Sequence, residues 1–544
     1  MATSGVFKGQ IVDVVAGRIF RGTLIVSDGR IESVKEDASV TGPYIMPGLI
    51  DAHIHIESSM LTPSAFARMA VVHGTVGTVS DPHEIANVLG LEGVRFMIRN
   101  GKQTPFKFNF GAPSCVPATG FETAGTSLGP DEIEELLQEK DIRYLSEMMN
   151  FPGVVFGDPE VHAKLELAKK YDKPVDGHAP GLTGEWLEKY AMAGISTDHE
   201  CTTVEEALDK IKLGMHILIR EGSAARNFDN LLPILGTHPE MVMFCSDDKH
   251  PDDLVTGHMN LLIKRAMAAG YPAMDAIRAC TLNPVNHYKL DGGLLQVKDP
   301  ADFITVDNLN DFNVLSTYID GVEYAADGKS FLKLVESERP NHFTAGSILP
   351  EDITVHVLPG KLKVIEAFDG ELVTGTLLVE PRIINGKVES NVENDILKIV
   401  VINRYKPSSP AIGFIHGFGL KRGALASTVA HDSHNLICVG TTDEEMCKAI
   451  NLLVESKGGI AVSNGDKKQL LPLPIAGIMT DADGKDVAVS YESINRFSHE
   501  LGSSLRAPFM TLSFMALLVI PELKLSDRGL FDGKLFSFTS LFQI

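Results

Sequence analysis

The chain has 544 residues, 44% of them hydrophobic and 22% charged, with a formal net charge of -22. That length exceeds one hydrophobic core and predicts two or three domains, with the composition of an ordinary folded soluble protein. The acidic balance excludes a nucleic-acid partner, which needs a concentrated basic face, but leaves a neutral small molecule open.

Residues up to about 50 alternate apolar and polar, as in "GQIVDVVAGRIFRGTLIVSDGRIESV". Turns at Gly17, Gly22 and Asp28-Gly29 predict a small antiparallel sheet there. The opening "MATSGVFKGQIVDVVAGRIF" has no continuous apolar run, so no signal peptide is expected. The six cysteines are scattered without a CxxC pair, as expected for reduced, mostly buried thiols of a cytoplasmic protein.

From Asp51 to about 290 the pattern changes to short apolar strands alternating with helices. The predicted strands are "GLIDAHIH", "GTVGTVSD", "FKFNFGAPS", "YLSEMMN", "PVDGHA", "ISTDHE", "HILIREGS" and "MVMFCSDD". Amphipathic segments such as "PDEIEELLQEK", "DPEVHAKLELAKKYDK" and "TVEEALDKIKLGM" carry acidic residues or proline in the first turn, which predicts helices. Eight strands in this alternation predict an α/β fold, a (β/α)8 barrel over 51–290. The stretch after it returns to short strands and turns, so 1–50 plus 291–340 are expected to form one small β-sandwich domain.

Residues 341–544 are expected to be a separate C-terminal α+β domain. Its strands are "ITVHVL", "KLKVIEAF", "LKIVVINRY" and "HNLICVGT", with one clear helix, "DEEMCKAINLLVESKGG". The most apolar run, "FMTLSFMALLVIPEL", is shorter than a bilayer span and is closed by Pro521. It reads as buried core, with no membrane role.

Active sites of such barrels sit at the C-terminal ends of the strands. Strand one ends in His53 and His55, whose side chains, two apart, share a face. Strand two ends in Asp81 and His83, strand four in Glu147, strand five in His178 and strand six in His199. Strand seven carries Glu221 and Arg226, and strand eight Asp247. A lone histidine is usually structural; four of them with two carboxylates at strand ends of one barrel point to metal. Six such donors are too many for one tetrahedral catalytic ion. They suit two divalent ions bridged by Glu147 and a hydroxide, and ligation without thiolate fits Zn²⁺, Mn²⁺ or Fe²⁺. Asp247 beside them is placed to move the proton of that water.

Other motifs are weaker. "HEIAN" and "HECTT" lack the second histidine of HExxH, and "GTSLG" has no apolar strand leading into it. The nucleotide-deaminase pair of HxE and PCxxC is absent. "HDSHN" at His431 and His434 is either a further metal or substrate contact or a polar loop.

These residues resemble the amidohydrolase superfamily and, within it, the bacterial adenine deaminase family. "PGLIDAHIHIESSM", "DPHEIANVLG", "SCVPATG", "EMMNFPGVV", "DGHAPGL", "IREGSAARN", "LPLPIAGIM" and "GLFDGKLFSFT" carry the resemblance across essentially the whole chain. "GFGLKRGALASTVAHDSHN" is similar to that family's C-terminal domain. Many amidohydrolases carry a carboxylated lysine on strand four; Glu147 in that region matches the adenine deaminase variant. The resemblance implies hydrolysis of adenine to hypoxanthine and ammonia in purine salvage, with Mn²⁺ or Fe²⁺ favoured over Zn²⁺. A ring nitrogen of adenine must then be protonated, for which Glu84 and Glu221 are the candidates. Ser223 and Arg226 are candidates to bind the ring, Arg226 equally for a structural salt bridge. Asp81 and His83 are candidates to orient ligands or touch substrate. The alternatives are another cyclic amidohydrolase or a non-catalytic scaffold. A homodimer is expected.

Overall fold

The computed structural model describes residues 4–543. Strands β1 (Gly5–Asp13), β2 (Arg18–Ser27), β3 (Arg30–Glu36) and β4 (Tyr44–Pro47) open the chain. They form one eight-stranded sheet with β13 (Phe303–Val306), β14 (Val314–Ile319), β15 (Val322–Ala326) and β16 (Lys329–Ser330), so the two flanks of the barrel meet in one sheet. The seam is β4, which pairs parallel with β1 and antiparallel with β13. Ile11, Leu24, Val26, Ile45 and Phe303 pack as its core. Asp28 and Gly29 both have positive φ, as the predicted β2–β3 turn requires. Gly22 is no turn: it lies inside β2 opposite Gly9.

Between the flanks run eight parallel strands: β5 (Leu49–Ile54), β6 (Thr75–Ser80), β7 (Lys107–Ala112), β8 (Ile142–Met148), β9 (Val175–Gly177), β10 (Thr197–Asp198), β11 (His216–Arg220) and β12 (Val242–Cys245). β5 to β9 pair in sequence, as do β10 to β12. Parallel bridges Val175–Ile195 and Ile54–Asp247 close the ring into the predicted (β/α)8 barrel. Its interior packs Ile50, Ala52, Val79, Tyr144, Leu218, Met243 and Cys245. These positions define which parity of each strand points inward.

The C-terminal unit is built on a nine-stranded sheet that includes Lys361–Ala367, Leu397–Ile402, Leu436–Gly440 and Gly459–Asn464, with the helix Asp443–Ser456 against it. "ITVHVL" is not a strand: Pro350–Ile353 is a 3-10 turn, and beyond it only an isolated bridge at His356 pairs. A second long helix, Gly484–Glu500, forms although its valines, serines and asparagine are mediocre helix formers. Burial of Val487, Tyr491, Ile494 and Phe497 supports it instead. The apolar run near the C-terminus includes a short helix, Pro508–Phe514, buried throughout. Among the described residues no helix is long and apolar enough to cross a membrane. One hydrophobic core runs from Phe66 and Met97 of the barrel to Ile475 and Phe514 of the C-terminal unit.

A fully buried lysine ties two strand ends together. Lys210 lies 3.1 Å from Asp198 and donates to Glu206 and the Ala179 carbonyl, each at 2.8 Å. Asp198 accepts from the backbone of Ala179 and of Glu200, beside His178 and His199. Removing one partner of such a group strands a buried charge, at a cost of about 3–5 kcal/mol. Lys210→Ala is therefore expected to lower the urea midpoint of unfolding clearly; an unchanged midpoint would show that the ion pair does not matter.

Candidate metal centre

The strand ends bring the predicted donors together. His53 and His55 approach through their Nε2 atoms, 3.2 Å apart, and His55 Nε2 lies 3.2 Å from Asp247 Oδ1. Glu147 divides its oxygens between two groups of histidines. Oε1 faces His55 at 3.3 Å and His83 at 3.4 Å, while Oε2 faces His178 at 2.8 Å and His199 at 3.1 Å. Every one of these side chains is buried or nearly so. His53 stacks on His199 with ring centroids 4.2 Å apart.

Simple alternation does not put all of them there. Tyr144 points into the barrel, so Glu147 should point out; the β8–β9 pairing shifts register between Leu145 and Met148 and re-aims it. Ile50 and Ala52 point inward, and a register shift between Asp51 and Ile54 likewise lets His53 and His55 face the mouth. Asp247 sits in the left-handed region at φ 56, its backbone bonded to His53 and His55. That conformation is tolerated by aspartate and concentrates at functional sites.

The donor set fits divalent cations. Groups of three or four ligand atoms converge at His55, Asp81, His83 and Glu147, at His53, His55 and Asp247, and at His53, Glu147 and His199. Neutral imidazole lone pairs facing one another at 3.2 Å repel unless a proton or a cation lies between them. The buried Nδ1 of His53 and Nε2 of His178 have no hydrogen-bond partner. His55 has its Nδ1 on the Asp81 carbonyl, 3.2 Å away, which leaves Nε2 free for a metal. Burial pushes the Glu147 carboxyl up, but His178 and His199 outweigh it and hold it well below the usual carboxylate range.

Arg220 and Glu200, which no motif singles out, complete the centre. Arg220, inward on β11 like Leu218, contacts Asp247 Oδ2 at 2.5 Å and pairs with Glu200 through both guanidinium nitrogens. Against burial, Arg220 and the imidazoles hold Asp247 well below its ordinary value. The signal was available: alternation along "ILIRE" that puts Leu218 inside puts Arg220 inside and Glu221 outside.

Glu221 accordingly points away from the barrel mouth. It leaves the cavity and pairs with Arg265 at 2.7 Å. Ser223 and Arg226 do not line the cavity either: Ser223 donates to Asp253 at 2.5 Å, and Arg226 donates to the Gly222 carbonyl at 2.8 Å. His83 does line it, but with Nδ1 3.1 Å from Asp81 and near Glu147, among donors. Glu84 also lines it, yet its two oxygens face His431 and His434 of the C-terminal unit. Burial raises its carboxyl, and these imidazoles outweigh that and hold it well below the usual carboxylate range. The C-terminal unit closes the cavity with Leu372, His431, Asp432, Phe514 and Leu517.

A closed parallel barrel with imidazoles and carboxylates converging at its mouth defines a metal-dependent hydrolase, and residues 44–323 match the model of the amidohydrolase family. Residues 371–537 match the adenine deaminase C-terminal domain. The chain is 53% identical to an adenine deaminase of Methanosarcina barkeri, over 98% of this chain and 99% of that one. It is 51% identical to one of Salinibacter ruber over 100% of both chains, and 45% identical to one of Borreliella burgdorferi over 98% of both. The chain belongs to the adenine deaminase family of amidohydrolases.

Because Glu147 faces both groups of imidazoles, Glu147→Gln is expected to bind less than half the divalent metal of the parent, with an unchanged far-UV spectrum. Elemental analysis would decide, and a full metal complement would remove Glu147 as a ligand.

Proposed function

We propose that this protein hydrolyses adenine to hypoxanthine and ammonia in purine salvage, with two divalent cations at the barrel mouth. One observation carries the reading: a six-donor centre is closed by a segment that matches the adenine deaminase C-terminal domain, in a chain similar to adenine deaminases from end to end. His53, His55, Glu147, His178, His199 and Asp247 would hold the cations, Mn²⁺ or Fe²⁺ in preference to Zn²⁺. Bound there, the cations lower the pKa of water so that a nucleophile exists at neutral pH.

The chain's own residues do the rest. Arg220 fixes Asp247 through Oδ2 and leaves Oδ1 facing His55, where Asp247 takes a proton from the attacking water. The same carboxyl then gives that proton to the amine leaving C6. Glu200 anchors Arg220 from the other side and so keeps Asp247 in place. The apolar lid of Leu372, Phe514 and Leu517 covers the planar base and limits bulk water. A second copy of the chain in a dimer and a cytoplasmic location belong to the same reading.

The test is adenine loss followed in ultraviolet absorbance, with hypoxanthine identified by chromatography and adenosine, guanine and dihydroorotate run alongside. Conversion of adenine alone is expected; turnover of a cyclic amide instead would overturn the substrate. Asp247→Asn is expected to slow turnover by about 10³-fold or more. Full activity in that variant would end the proton-transfer role.

A further inference from the structure

The proton for the purine ring needs a donor other than Glu221, which pairs with Arg265, and Glu84, whose two oxygens both face imidazoles. His431 lies in the loop after the strand Ala424–Ser427 and lines the catalytic cavity beside His55, Glu147 and Asp247. Its ring stacks on Phe514, centroids 4.8 Å apart and planes within 17°, which fixes its orientation. Nδ1 faces one oxygen of Glu84. Nε2 is buried and has no hydrogen-bond partner.

Glu84 is held for this purpose from the far side. The backbone N–H of Ala430 donates to His434 Nδ1 at 3.2 Å, so the proton of a neutral His434 sits on Nε2, which donates to the other oxygen of Glu84. Glu84 therefore accepts from both rings, and His431 must carry a proton on Nδ1. Any further proton on His431 is on Nε2, the one atom of this chain of contacts left free for a ligand.

We propose that His431, supplied by the C-terminal domain and oriented by Glu84, Phe514 and indirectly His434, is the catalytic acid that protonates the ring nitrogen next to the reacting carbon. Glu84 and His434 are positioning residues. The proposal rests on adenine being the substrate. As water, deprotonated by Asp247, forms the C6–O bond, the C6–N1 double-bond pair moves to N1 and takes the proton from His431 Nε2. The C6–N6 bond then breaks, the proton held by Asp247 goes to the leaving nitrogen, and ammonia departs. The hydroxyl on C6 becomes the carbonyl of hypoxanthine, and its proton restores His431. Water and adenine are consumed, and hypoxanthine and ammonia are formed, with no other reactant. Burial pushes the His431 imidazolium pKa down, but Glu84 and Asp248 outweigh it and carry it up to about 9.

Two variants test this in the metal-loaded full-length protein. His431→Asn keeps an amide N–H for Glu84 where Nδ1 was but removes the Nε2 proton. It is expected to retain the parent's metal content and to lose about 100-fold or more in kcat with adenine. His431→Ala opens a ring-sized gap, and millimolar imidazole is expected to restore part of its rate, a rescue that a purely structural role would not give. Should either variant fail to hold metal, the other decides. The proposal is overturned if a metal-loaded His431→Asn turns over adenine within about threefold of the parent, or if imidazole rescues nothing in a folded, metal-loaded His431→Ala. A parent protein that leaves adenine untouched would instead overturn the substrate, and with it the step.

Discussion

The Glu147 carboxylate is the constraint around which the mouth of the barrel is built. Its two oxygens face two different groups of imidazoles, so one side chain sets the spacing of the whole donor set. Buried carboxylates and unpaired ring nitrogens are costly without compensation. Their convergence in one buried place is therefore unfavourable for the chain alone and favourable once cations occupy it. Closure of the barrel, by the bridge between Ile54 and Asp247, is what brings strand one and strand eight to the same centre.

Charge balance extends that constraint outward. Asp247 is tied by Arg220, Arg220 by Glu200, and the backbone under His178 and His199 by Asp198 and Lys210. Asp51 supports the other side: it accepts from Ser246 and, at 2.8 Å, from His258, whose Nδ1 meets Thr75 at 2.7 Å. Asp247 and the backbone beside His178 and His199 thus each have a buried partner behind them. Such supports are the means by which a metal site holds its geometry before the metal arrives.

The C-terminal unit is part of the site and not an appendage. It shares a hydrophobic core with the barrel, and Met60 and Thr62 hydrogen-bond to Thr480 at the junction. Its loop brings His431 and His434 against Glu84, some 350 residues away along the chain, and its apolar side chains roof the cavity. A cavity at a junction between units can be enclosed on all sides, which one barrel mouth with short loops does not achieve.

Much of this was legible in the sequence. Eight apolar strands alternating with amphipathic helices specify a barrel through local periodicity alone, and the ends of parallel strands in a barrel share one face. His53, His55, Glu147, His178, His199 and Asp247 could be collected on that rule. The same periodicity, applied strictly, would have placed Arg220 inside and Glu221 outside. What it could not supply was the two register shifts that turn Glu147 and the first two histidines inward, because a bulge is set by pairing with a neighbouring strand. Nor could it foresee the contact of Glu84 with His431 and His434. Local sequence determines which faces are apolar and where chemistry-bearing residues recur. Only the docking of one unit on another decides which distant side chains meet, since that depends on burial summed over the whole interface.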